Sequence, residues 1–294
     1  MNGTASVRDL RNAITDEIFF ALGLKRQGLL RRSMGWVFAL PAGIFARYMA
    51  AVDEAVGRSG PPAGCQKMLE SLGVSIVTQG RSHIPKQGPA IVLSNHPGAY
   101  DSMAIGSLIP RTDLKAIVSK TRFYQQLPNI HPRFFMVGET VLQGMDALRG
   151  AVNHLQCGGI LLQFGSGLIE PDPQYHSIRE DVFDKWSPSL EILLRKVPET
   201  QVVPTIASGV LLERFLHHPL TRLRRDAMDK RRLAEFIQVI QQLILPKTVH
   251  LEPHISFGQP FVLMEIEPKD ERRLMPAVIG KMMAQLEQHL AWIQ

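Results

Sequence analysis

Two hydrophobic rhythms share the chain. From Val74 onward short apolar runs recur between glycines, prolines and polar turns. "VSIVTQG" alternates and stops at Gly80. "AIVL" (Ala90 to Leu93), "LKAIV" (Leu114 to Val118), "FFMV" (Phe134 to Val137), "GILLQF" (Gly159 to Phe164), "VVPTIA" (Val202 to Ala207) and the late "VHLEPHISFG" follow. Runs of this length and framing predict strands. Between them the spacing is helical. Met145, Leu148, Val152 and Leu155 predict one helix closed by Gly158-Gly159, and Leu274, Val278, Met282, Leu286, Leu290 and Ile293 predict a C-terminal one. Residues 1 to about 70 carry no strand signal and predict helices ending on the loop "GRSGPPAG" (Gly57 to Gly64).

Strands alternating with helices predict an α/β fold: a mostly parallel central sheet covered by helices. The expected division is a helical segment over 1–70 and an α/β domain over 71–294. Sites in such sheets lie beyond the carboxyl ends of the strands. There the stretch "AIVLSNHPGAYDSMAIG" places His96, with Asp101 five positions on at the start of a helix. Asp101 has a bland reading as a helix N-cap. Its sharper reading is an acid orienting a base. Imidazole titrates near working pH and can take a proton from an attacking hydroxyl, while a carboxylate on its other nitrogen fixes the tautomer. Pro97-Gly98 supplies the sharp turn that lets the two meet.

Composition narrows the partners. The chain has 294 residues, 45% of them hydrophobic, and a formal net charge of +6 with pI near 9.5. Acidic partners are favoured, such as phosphorylated molecules or anionic lipid. The basic run "RLRRDAMDKRR" (Arg222 to Arg232) lacks stacking aromatics, so it reads as a solvated helix face and nucleic acid is not expected. Cys65 and Cys157 have no metal spacing, and neither do His217-His218 and His254; no metal site and no cofactor are expected. "FGSG" around Ser166 lacks the first glycine of a nucleophile elbow and has the wrong chain order of serine, acid and histidine. No secretory signal is read at the N-terminus. "SMGWVFALPAGIFA" (Ser33 to Ala46) falls short of the ~20 residues of a membrane span. Trp36, Phe38, Ile44 and Phe45 beside Arg31, Arg32 and Arg47 suit a helix lying on an anionic membrane surface, or else a hairpin capping the core.

Ordered motifs add a resemblance. Asn95-His96 followed four residues later by Asp101, after an apolar strand, resembles the first motif of the glycerolipid acyltransferases, the PlsC-like proteins. The lead-in with Gly80, Pro85 and Gly88-Pro89 is similar too. "IVSKTRFYQQLP" resembles their strand–lysine–proline segment through Lys120 and Pro128, and "VVPTIA" their fourth motif through Pro204. The likeness covers about Val74 to Ile206, and the last strand and helix more loosely. Two motifs depart. G-x-x-F-x-x-R, whose arginine helps hold the acceptor's phosphate, is missing from "HPRFFMVGE". F-P-E-G-T-R appears as Phe164-Gly165-Ser166-Gly167-Leu168-Ile169, with Glu170 four positions past the expected glutamate.

The resemblance implies an acyltransferase that moves a fatty acyl group from acyl-CoA or acyl carrier protein to a hydroxyl of a lysolipid or glycerol-type acceptor. His96 is then the general base and Asp101 its orienting acid. Asn95, Lys120, Arg122, Arg133, Phe164, Gly165, Ser166, Gly167 and Pro204 are the expected substrate-side residues. The location implied is the cytoplasmic face of a membrane, held peripherally. The alternative from another class is a lipid-binding protein on the same fold that does not catalyse.

Overall fold

The computed structural model describes residues 5–21, 29–138, 140–175, 183, 186–245, 248–266 and 274–294; the side chains of 20, 21 and 29–37 lie outside that description. Helices α1 (Val7–Ala21), α2 (Leu29–Ser59) and α3 (Pro61–Leu72) come first. The strands are β1 (Val77–Gln79), β2 (Ala90–Ser94), β3 (Lys115–Ser119), β4 (Phe134–Val137), β5 (Ile160–Phe164), β6 (Gln201–Ser208) and β7 (His254–Phe257). Between and after them lie α4 (Asp101–Leu108), α5 (Val141–Gln156), α6 (Ser189–Lys196), α7 (Glu213–Leu216), α8 (Ala227–Ile244), α9 (Leu263–Ile266) and α10 (Leu274–Ile293).

Among the described residues the strands form one sheet in the order β1-β7-β6-β2-β5-β3-β4. β6, β2, β5, β3 and β4 run parallel; β7 pairs antiparallel with β6 and parallel with β1. β2 therefore lies inside the sheet, and all five of its residues are buried. Its alternation sends Ile91 and Leu93 to one face, against Leu155 of α5, Leu193 of α6 and Met282 of α10. Ala90 and Val92 go to the other face, against Ala104 and Ile105 of α4. A parallel strand buried on both faces reads as a near-continuous apolar run, and β2 does from Ala90 to Leu93 before buried Ser94 ends it.

The loop expected over Gly57 to Gly64 contracts to Gly60. α2 runs on to Ser59, and Pro61 opens α3, where its missing N–H leaves no broken hydrogen bond. Gly60 sits at φ 85°, and a Cβ there would lie 2.9 Å from Thr112. The α5 stripe also starts later than expected: Val141, Leu142 and Met145 are exposed and burial begins at Ala147. A second apolar cluster joins Leu10 and Ile14 of α1, Ala46, Met49, Val52 and Val56 of α2 and Met68, Leu69 and Leu72 of α3 to Tyr100, Leu127, Val210 and Leu243. Buried Asp53 fastens α2 further, accepting the N–H groups of Asn129 and Ile130 at 3.0 and 2.9 Å.

Candidate active site

Beyond the end of β2 the chain is pinned before it turns. Asn95 Oδ1 accepts the Ala207 N–H at 2.8 Å and its Nδ2 donates to the Ala207 carbonyl at 2.9 Å. Buried Asn95 thereby ties β2 to β6 and faces the sheet, which makes it a support of the site. His96 follows, then the Pro97–Tyr100 turn, then Asp101 as the first residue of α4. Asp101 Oδ2 accepts His96 Nδ1 at 2.8 Å and the Gly98 N–H at 3.0 Å, and its side chain is wholly buried. No side-chain cap forms at the start of α4, so the carboxylate serves the histidine and its turn rather than the helix. An ionised carboxylate only accepts, which places the proton on Nδ1 and the lone pair of the neutral ring on Nε2. Among the described residues nothing hydrogen-bonds Nε2, and a quarter of the side chain (25%) remains exposed.

The ring has neighbours of its own. Phe164, at the end of β5, stacks on His96 with centroids 4.4 Å apart and planes 24° from parallel. Burial disfavours the imidazolium, but the Asp101 charge and hydrogen bond, followed by the carboxylates of Glu235 and Glu170, outweigh it and push His96 up to about 9.

Glu170, set aside in the sequence because it falls outside its motif position, reaches the site all the same. Its Oε2 accepts the His96 N–H at 3.1 Å, its own N–H donates to the His96 carbonyl at 2.7 Å, and its Oε1 accepts Trp186 Nε1 at 2.9 Å. Burial pushes its carboxyl above the usual range against those donors. Gly165 leaves the space Trp186 needs, since a Cβ there would fall inside the indole. Its N–H also continues the ladder to the Ser94 carbonyl at 3.0 Å. Buried Asp172 accepts the N–H groups of Gly209 and Val210, each at 3.0 Å, holding the loop after β5 to the exit of β6. Spacing alone did not signal Asp172.

The other expected residues scatter. Ser166 Oγ closes a local turn with the N–H and carbonyl of Leu168, beside Gly167 at φ 65°. Lys120 follows β3 at the same end of the sheet as His96 and is exposed, as is Arg122. Arg133 immediately precedes β4 and donates to the Thr112 carbonyl at 3.2 Å, which places it at the amino end of the strands, away from His96. Pro204 is paired in register with Leu93 inside the sheet and does not reach the dyad.

Of the expected membrane-facing residues, Arg31, Arg32 and Trp36 lie outside the described side chains. Phe38 packs on Phe19 and Phe236 with centroids 6.1 and 5.9 Å away, and Phe45 on Phe123 at 6.4 Å; both face protein. Arg47 instead lines a cleft of about 410 Å³ between α1 and α2 with Val7, Arg8, Arg11 and Gly43. None of its three guanidiniums has an acidic partner among the described residues. No helix among the described residues is long and apolar enough to cross a membrane.

No protein-family model and no curated protein matches the chain. Among solved structures the fold is similar to the crystal structure of the 1-acyl-sn-glycerophosphate (LPA) acyltransferase PlsC from Thermotoga maritima. Identity is 15% and the TM-score 0.44, over 96% of this chain and 97% of that one. A similarity at that distance specifies neither chemistry nor substrate.

Proposed function

We propose that the protein is an O-acyltransferase in which His96 is the general base and Asp101 its orienting acid. The observation that carries this reading is the pair itself: Nδ1 on a buried carboxylate at 2.8 Å, Nε2 open, at the carboxyl end of an interior strand. An acceptor hydroxyl donates its proton to Nε2 as its oxygen attacks the carbonyl carbon of an acyl thioester. The C–O bond forms, the C–S bond breaks, and the imidazolium returns the proton to the departing thiolate. Asp101 stabilises the imidazolium that exists between those events. No activated serine or cysteine is needed, so no acyl-enzyme forms on this route.

The donor proposed is acyl-CoA or acyl carrier protein, and the acceptor a lysolipid or glycerol-type alcohol. The proposed working position is on the cytoplasmic face of an anionic membrane, where a long-chain product would remain. The formal charge of +6 and the three arginines of the α1–α2 cleft support that placement. The segments 1–70 and 71–294 are proposed as its membrane-facing and catalytic parts.

The test is purified full-length protein with each donor and a panel of lysolipids and neutral alcohols, read by mass spectrometry. Wild type is expected to form ester and free thiol in equal amounts, and His96→Ala to form neither above background while keeping the wild-type circular dichroism. Equal turnover by both would remove His96 as the base, and no product from wild type with any donor and acceptor would favour lipid binding without chemistry.

A further inference from the structure

Helix α8 closes over the turn that carries the dyad, and it does so with polar side chains. Glu235, Gln238 and Gln242 are spaced three and four residues apart, along one helix face. Glu235 Oε1 accepts the Ala99 N–H. Gln238 accepts the Leu212 N–H and donates to the Val210 carbonyl, both at 2.9 Å. Gln242 accepts the hydroxyl of buried Tyr100 and donates to the Leu72 carbonyl at 3.3 Å. Gln238 and Gln242 are fully buried, in positions where a helix ordinarily presents leucine. Buried amides persist when their hydrogen bonds are made, and here they tie α8 to Tyr100 of the turn, to the Val210 and Leu212 backbone after β6 and to the end of α3. Gly98 completes the fit: a Cβ on it would lie 2.8 Å from Glu235 Oε1, so the turn is shaped around that carboxylate.

We propose that Glu235 is a positioning residue for the His96–Asp101 pair, holding the turn at Ala99 and setting a further carboxylate against the imidazolium. This rests on the reading of His96 as the base. The titratable and charged groups facing Glu235 are Asp101 from α4, Tyr100 from the turn before it and His96 itself, with Arg232 one turn earlier on α8. Arg231 is drawn instead toward Asp172. Burial raises Glu235 to about 7, with Asp101 adding to the rise and the Ala99 N–H, His96 and Arg232 opposing it. Its charge therefore forms across neutral pH. Where it is present it favours His96 in the protonated form, and removing it must lower the midpoint of His96.

Glu235→Gln keeps an acceptor for Ala99 and removes the charge; Glu235→Ala removes both. The experiment follows the His96 Cε1–H resonance of the full-length protein by NMR against pH, assigned through His96→Ala, alongside pH profiles of kcat and KM. The His96 midpoint is expected to fall by about half a unit or more in Glu235→Gln, roughly a threefold change in its proton equilibrium. The rising limb of kcat/KM should move the same way. Glu235→Ala should in addition lose about tenfold in kcat relative to Glu235→Gln, with donor KM unchanged. An unmoved or raised midpoint in Glu235→Gln overturns the electrostatic part, and equal kcat in the two variants overturns the positioning part. The titration needs no turnover. A protein without acyl transfer would therefore sink the reading of His96 as base and still leave the Glu235 coupling measured.

Discussion

A histidine tied at one ring nitrogen to a buried carboxylate has its tautomer decided before any substrate arrives. Asp101→Asn keeps a hydrogen-bonding group of the same size but can present its amide N–H to Nδ1, favouring the wrong tautomer, and it cannot stabilise the imidazolium. Its kcat/KM is expected to fall by about 10²–10⁴ with the fold retained, measured by thiol release and circular dichroism. The raised His96 has a consequence for stability as well. Relative to an ordinary value of 6.5, a folded value of about 9 means that the ion pair stabilises the protein fully below pH 6.5. That contribution is lost as pH rises through about 9. It is on the order of 2–3 kcal/mol, since the ring keeps some contact with water. The gap in Tm between wild type and His96→Asn is thus expected to be widest below pH 6.5 and to close by several degrees toward pH 10. A gap that widens with rising pH would refute the sign.

At the scale of elements, the site is a meeting of chain turns at one end of the sheet, and each turn is braced by another. The exit of β2 is held by Asn95 to β6, the exit of β5 by Gly165 to β2, and the loop after β5 by Glu170 to His96. Gly165→Ala probes this bracing. A methyl at that position falls inside the Trp186 ring, and an indole anchored by Glu170 has little room to yield. Such overpacking costs about 1–3 kcal/mol, so the urea midpoint should drop and transfer should fall with it. A variant as stable and active as wild type would show that Trp186 is free to move. α10 shows the opposite case. Leu274, Val278, Met282 and Leu286 all reach the core as the three- to four-residue spacing predicts, because one apolar stripe on one sheet face needs no help from distant residues.

For the whole molecule, charge and exposure direct the remaining expectations. Arg8, Arg11 and Arg47 together face one cleft, and each basic residue near an anionic lipid surface contributes about 1 kcal/mol. The triple alanine variant should therefore bind phosphatidylglycerol vesicles on the order of 10–100-fold more weakly in flotation, and wild-type binding should weaken with salt. Unchanged flotation would move the contact elsewhere, for which exposed Val141, Leu142 and Met145 offer the apolar alternative. The acceptor is expected to be less charged than glycerol 3-phosphate. A phosphate monoester calls for a bidentate guanidinium; Arg133 lies at the wrong end of the sheet to supply it, which leaves exposed Arg122, just past β3, as the arginine of the expected set nearer that end. Lacking one charge-assisted contact costs on the order of 1.5–3 kcal/mol. A neutral lipid hydroxyl should thus outcompete glycerol 3-phosphate in the acceptor panel; preferred, saturable acylation of glycerol 3-phosphate would reverse that conclusion.

What the sequence determined alone is whatever depends on neighbours along the chain. The apolar run of β2, the turn at Pro97-Gly98 and the five-residue step from His96 to Asp101 are local. The local geometry of a strand end and a first helical turn was enough to bring His96 and Asp101 within reach of each other. Whether Asp101 would cap α4 or hold His96 was decided only in three dimensions, by where its Oδ2 found donors. The place of Glu170 was illegible for a related reason: motif spacing measures distance along the chain, while the loop after β5 folds back and brings its carboxylate to the His96 backbone from 74 residues away. Glu235 lies still further, on a helix whose basic start read as a solvated face. Its role exists only because α8 packs across the turn, burying polar groups that the chain order keeps apart. Charge and burial at a distance are properties of packing, and they set the basicity of His96.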